Sequence, residues 1–102
     1  MKRPVRWSRA ALEDLKQQIR HIARDNPAAA RSVADRIDAA VVALGNRPVG
    51  RPGRVAGTYE KSVVGLPYIV AYCVETVEGQ ETLFILRLIH TARDWPRNAW
   101  PS

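Results

Sequence analysis

The 102-residue chain has the length of one ordinary domain, able to bury roughly 60 to 70% of the surface that its unfolded form exposes, and residues 1–102 are read as a single unit. With 46% hydrophobic and 25% charged residues and no low-complexity tract, the composition excludes a disordered chain and fits a globular one. Sixteen Lys and Arg against ten Asp and Glu leave a net charge of +6, which points to a polyanionic partner without choosing among nucleic acid, ribosome, anionic lipid and acidic protein.

Cys73 is the only cysteine, so no internal disulfide forms and a reducing compartment is expected. Its setting, "IVAYCVE", marks it as a small core residue rather than a nucleophile. The opening "MKRPVRW" has basic residues but no apolar core of a leader, and nowhere do about 18 apolar residues run together. A cytosolic protein with no membrane contact is the expectation.

In chain order, Val5 and Trp7 alternate against Arg6 and predict a short strand over residues 3–7. Ser8 offers a helix N-cap, and Glu13 and Asp14 are read as early carboxylates that favour the helix dipole. Leu12, Leu15, Ile19 and Ile22 fall at steps of three and four, the stripe of an amphipathic helix that turns Lys16, Gln17, Arg20 and Arg24 to water. Asn26 and Pro27 then cap and open a second helix, whose apolar stripe is Val33, Ile37, Ala40, Val41 and Leu44. Gly45 is expected to end it in the left-handed conformation, and the two helices should lie antiparallel.

Residues 45–57 hold four Gly, two Pro and three Arg and read as a long loop of the kind that often carries function. Strands are predicted at about 58–64, 68–75 and 83–90, with turns at "GLP" and "VEGQE". The expected fold is α+β, a helical hairpin packed on a small antiparallel sheet in the order β-α-α-β-β-β. Strict alternation in the last strand would place Phe84, Leu86 and Leu88 on one face and Leu83, Ile85, Arg87 and Ile89 on the other. Arg87 is assigned to the face away from the helices, because a guanidinium among helix-facing apolar side chains would need a buried partner. That half-open face, flanked by the basic loop, is the expected binding surface.

Familiar catalytic patterns are missing. His21 and His90 lie in different elements, no Cys/His spacing suggests a zinc site, and no metal or cofactor is expected. There is no Gly-x-Ser-x-Gly turn, and "GRPGRVAG" lacks the Lys-Ser/Thr ending of a phosphate loop. What remains is a basic constellation: Arg47, Arg51 and Arg54 in the loop, then Lys61, Arg87, His90, Arg93 and Arg97. Such donors suit phosphates, and Tyr59 and Tyr68 could stack on unpaired bases, but Tyr59, Tyr68 and Tyr72 are read in the first place as edge and core aromatics of the sheet.

Three stretches in order carry a resemblance. "WSRAALEDLKQQIRHIARDNPAAA" resembles the opening helix of the RelE/ParE toxins of type II toxin–antitoxin systems. "GRVAGTYEKSVVGLPYIVAYCV" is similar to that family's Gly-Arg-x-x-Gly-Thr strand and Pro-Tyr-Ile hairpin, and "ILRLIHTARDWP" to its last strand and Ala-Arg-x-Trp-Pro tail. The ParE branch is the most similar.

The resemblance implies a toxin neutralised by a cognate antitoxin that lays a partly disordered segment across helices and sheet, in a hetero-oligomer. It also implies one of two targets: DNA gyrase for ParE-like members, or messenger RNA on the ribosome for RelE-like ones. A ribonuclease needs Lys or Arg on the central strands, yet no Lys or Arg occurs between Ser62 and Leu86. Gyrase inhibition without catalysis is therefore preferred. A ribonuclease built on Lys61, Arg87 and His90, and a non-toxic interaction module, are the alternatives. In the tail, Trp95 is read as an anchor, Asp94 as the partner of a basic side chain, and Arg93 with His90 as lining the functional face. A ParE-like toxin has its targeting surface near this end by resemblance. The expected target-binding set is Arg51, Arg54, Tyr59, Arg87, Arg93 and Trp95.

Overall fold

In the computed structural model, which describes residues 2–92, the order is β1 (Val5–Trp7), α1 (Arg9–Ala23), α2 (Pro27–Asn46), β2 (Arg51–Pro52), β3 (Tyr59–Ser62), β4 (Tyr68–Val77) and β5 (Gln80–His90). The five strands form one sheet in the order β1-β5-β4-β3-β2. The pairs β2–β3, β3–β4 and β4–β5 are antiparallel, whereas β1 runs parallel to β5 with Val5 opposite Leu83 and Trp7 opposite Ile85. The expected antiparallel sheet is thus a mixed one. Successive reversals from β2 onward return the last strand to the side of the first, pointing the same way.

Local chemistry sets the helices. The Ser8 hydroxyl accepts from the Ala11 N–H at 3.0 Å and donates to the Leu86 carbonyl at 2.9 Å, so one side chain caps α1 and ties it to β5. Asn26 accepts from the Ala29 N–H at 3.0 Å, with Pro27 opening α2. Gly45 does not end α2 as expected. It lies within the helix, which runs on to Asn46, and a Cβ there would stand 3.0 Å from Val5 Cγ2 and 3.1 Å from the Arg3 carbonyl oxygen. This glycine allows β1 to approach α2. At the β4–β5 turn, Glu78 and Gly79 have φ of 51° and 80°, the conformation that a two-residue hairpin joining twisted strands requires.

The main core gathers Ala11, Ile37, Val41 and Leu44 from the helices with Val70, Tyr72, Leu83, Ile85 and Leu88 from the sheet. The stripe expected on α1 is displaced: Ala11 is fully buried and Leu12 is 39% exposed. A small residue lies where the helix comes nearest its neighbours, and the larger one is pushed to the flank. Strict alternation in β5 also fails, because Ala71 pairs with Arg87 and Tyr72 with Ile85, leaving Leu86 as the extra residue of a bulge. Beyond it the parity changes. Leu88 joins the helix-side core with Leu83 and Ile85, while Ile89 joins Ile69 and Ala71 in a second buried cluster.

Arg87 corrects the expected binding surface. By register it stands opposite Ala71, but it is only 8% exposed, and its Nε and Nη2 donate to Asp14 Oδ2 and Oδ1 at 2.8 and 2.7 Å. The buried partner thought missing is Asp14, which lies beyond the first turn of α1 and also accepts from the Leu88 N–H at 3.0 Å. With Ile69, Ala71 and Ile89 buried, the second face is not an open platform at these positions.

A second ion pair shapes the basic loop. Glu60 in β3 is 5% exposed and accepts from the Arg54 backbone N–H at 2.8 Å, from its Nε at 2.9 Å and from its Nη2 at 3.3 Å. Burial pushes the Glu60 carboxyl up, and the Arg54 hydrogen bonds with the Arg54 and Arg51 charges more than offset this, leaving it below its ordinary value. β2 lies within the segment expected to be loop, with Arg51 opposite Glu60 and Pro52 opposite Tyr59. Proline is compatible with this position at the sheet's edge.

Two outcomes follow from these pairs. Asp14→Ala removes a buried partner and is expected to cost about 3 kcal/mol in urea unfolding, while the double variant Asp14→Leu/Arg87→Met costs less than the single one. Glu60 is held ionised by folding, so its contribution is present above about pH 4.3, the unfolded value, and is lost as pH falls through the lower folded value. The stability gap between wild type and Glu60→Gln should therefore be largest near pH 7 and close below about pH 4 in urea midpoints measured across that range.

Candidate functional site

Several concavities lie around this framework among the described residues. The first lies along α2, where its small residues Ala39, Ala40 and Ala43 leave a groove of about 440 Å³ against Val63 and Val64. Alanines keep the helix surface low, and exposed Val49 and Val64 stand beside them, Val64 being 82% exposed. Arg36 and Lys61 supply the charged border, with Arg36 Nη2 donating to the Val64 carbonyl at 2.6 Å. β2 pairs only with Tyr59 and Glu60, so the outer edge of β3 at Lys61 and Ser62 is left beside the groove with no strand against it among the described residues.

The second concavity, of about 520 Å³, lies between the segment Pro48 to Gly50 that follows α2 and the sheet, and Tyr59, Tyr72, Arg3 and Glu81 are among the residues that line it. The two tyrosines face each other across β3 and β4 with ring centroids 5.8 Å apart. Burial, with a contribution from Tyr59, pushes the Tyr72 hydroxyl's pKa up. Gly50 makes room for the crossing loop, since a Cβ there would stand 2.8 Å from the Tyr72 hydroxyl. Arg3 Nε donates to Glu81 Oε1 at 2.8 Å, and both residues line the concavity.

The third, of about 600 Å³, lies between the last turns of α1 and the end of β5 and brings together Gln18, Arg20, His21, Arg24 and His90. The two histidines, separated by element in the sequence, line this one pocket. The His90 ring sits edge-on to Tyr68 at 5.3 Å between centroids, and its Nδ1 accepts from the Ala92 N–H at 3.1 Å.

The residues singled out from the sequence are thus distributed over several places. Lys61 borders the α2 groove, His90 lines the α1 pocket and Arg87 is held by Asp14, so they do not converge as an acid–base set. Arg54 is committed to Glu60, and Arg51 reaches within 4.0 Å of the same carboxylate while remaining largely exposed. Tyr59 is 44% exposed at the second concavity. Arg93 and Trp95 lie outside the described residues, as do Asp94 and Arg97. Sequence reasoning missed Asp14 and Glu60 as ion-pair partners, because nothing in their spacing distinguishes them from surface carboxylates. The alanine-lined groove did leave a signal in the run of small residues along α2. Among the described residues no group of three or more His, Cys, Asp and Glu could hold a metal ion, and no helix is long and apolar enough to cross a membrane.

Comparison with known proteins agrees with this architecture. A family model described as the ParE toxin of type II toxin-antitoxin system, parDE, matches residues 5–95. The chain is 36% identical over 94 residues to the "Putative toxin Y4kP" of Sinorhizobium fredii, covering 91% of this chain and 93% of that protein. A solved structure described as the chromosomal ParDE TA system from P. aeruginosa superposes with a TM-score of 0.74 at 25% identity, over 87% of this chain and 96% of that one. The chain belongs to the ParE toxin family of type II toxin–antitoxin systems.

Proposed function

We propose that this toxin arrests growth by binding DNA gyrase, without catalysis, and that a cognate antitoxin neutralises it by occupying the groove along α2. The observation that carries the choice of target class is the commitment of Arg87. A ribonuclease needs a cation free to stabilise charge on the scissile phosphate, and this guanidinium is instead bound to Asp14 in a buried pair. Lys61 and His90 lie in separate concavities, which adds to the case for binding rather than cleavage. Family membership supports the ParE-type reading, and the net charge of +6 suits a target that works on DNA.

The antitoxin assignment rests on the shape and border of the groove. Its floor is apolar, Arg36 and Lys61 stand at its margin, and an open strand edge lies alongside. An extended or helical segment with apolar side chains and nearby carboxylates fits all three features, the backbone adding to β3 and the side chains filling the space over the alanines.

Purified toxin added to a gyrase supercoiling reaction should block it, and added to a translating extract should leave messenger RNA intact. Messenger cleavage that disappears in Lys61→Ala or His90→Ala would replace this reading with the ribonuclease. For the groove, Ala43→Glu combined with Val64→Asp places carboxylates among its apolar lining residues and should weaken antitoxin binding by at least about tenfold in calorimetry. Both positions are exposed, so the thermal midpoint of the free toxin should move little. Unchanged affinity would show that the antitoxin docks elsewhere.

A further inference from the structure

We propose that the pocket between the last turns of α1 and the end of β5 binds a phosphate group. Gln17, Arg20, His21 and Arg24 are related by steps of three and four (17 to 20 and 21, 20 and 21 to 24), so one side of the helix presents them together. The complementary wall comes from the sheet, where His90 ends β5.

The polar groups there present donors. The Ala92 N–H occupies His90 Nδ1, which in the neutral ring places the remaining proton on Nε2. Tyr68 donates to Gln18 Oε1 at 3.1 Å, so the Gln18 carbonyl is occupied and its amide N–H groups remain to donate. Arg20 and Arg24 add guanidinium forks suited to a phosphate's oxygens.

No carboxylate lines the pocket among the described residues. Asp14, one helical turn before Gln18, is already neutralised by Arg87, and Glu13 lies 3.9 Å from Lys16. Cations in the last turn of a helix also complement its dipole, which would account for Arg20 and His21 alone. The dipole gives no reason for His90 and Gln18, brought in through β5 and Tyr68, to line the same space. At about 600 Å³ the pocket exceeds the needs of one phosphate and admits a larger molecule that carries it.

The site is independent of the gyrase reading and is tested by direct binding. The full-length chain is titrated with inorganic pyrophosphate, with a short mixed-sequence single-stranded DNA, and with a polyglutamate peptide, following amide NMR shifts. Pyrophosphate is expected to shift the signals of Gln18, His21 and His90. Arg24→Gln and His21→Gln should each weaken its binding by roughly five- to tenfold, while Arg9→Gln, which removes a charge at the other end of α1, should remain within about twofold of wild type. DNA binding tighter than pyrophosphate, with a salt slope that falls when Arg24 is replaced, would identify the source as a nucleic-acid backbone. Pyrophosphate binding at least as tight as DNA would identify a free phosphorylated compound. Absence of pyrophosphate-dependent shifts, equal losses in Arg9→Gln, or equally tight binding of polyglutamate would overturn the proposal.

Discussion

A single carboxylate, Asp14, governs how α1 meets the sheet. β1 covers the edge of β5 only as far as Ile85, and beyond that point the strand's backbone donors need other partners. Asp14 accepts from one of them, the Leu88 N–H, while its two oxygens take the fork of Arg87. Ser8 adds a hydroxyl to the Leu86 carbonyl, so α1 itself serves as the continuation of the edge. The cost of burying two charges is offset by this set of directed bonds, and the geometry specifies one placement of the helix.

The consequence for function is a sorting of the cations. A net charge of +6 suggests a uniformly basic surface, but Arg87 and Arg54 are engaged by Asp14 and Glu60 and largely withdrawn from solvent. Apart from Arg3, paired with Glu81 at the second concavity, the cations that line these concavities stand in two settings. Arg36 and Lys61 border an apolar groove, where they suit a partner segment with carboxylates beside apolar side chains. Arg20, Arg24 and two histidines surround a polar pocket with His90 supplied by the sheet. The same residue types therefore perform structural and recognition tasks, and burial decides which.

Most of the framework was legible from local pattern. Ser8 and Asn26 cap the helices as their side-chain chemistry predicts, Ile37, Val41 and Leu44 line the core at helical spacing, and Glu78-Gly79 closes the last hairpin. Where reading failed, a local rule met a long-range demand. Gly45 resembled a helix terminator because glycine commonly ends helices, yet its missing side chain accommodates β1, which is distant in sequence. Leu83 and Ile85 were assigned to the face of Arg87 and Ile89, away from the helices, because strict alternation was carried through a ladder that the bulge at Leu86 interrupts; both join Leu88 on the helix side.

The sequence by itself determined the element order, the α+β class, the basic character and the likeness to a toxin family, since these depend on periodicity, capping and motifs within short windows. Only the tertiary structure decided that β1 lies parallel to β5, that Arg87 faces Asp14 across 73 positions of chain, and that His21 and His90 line one pocket. Pairings of this kind depend on where separate elements come to rest, and that is set by the closing of the sheet and the burial of charge, neither of which is encoded in the spacing of neighbours.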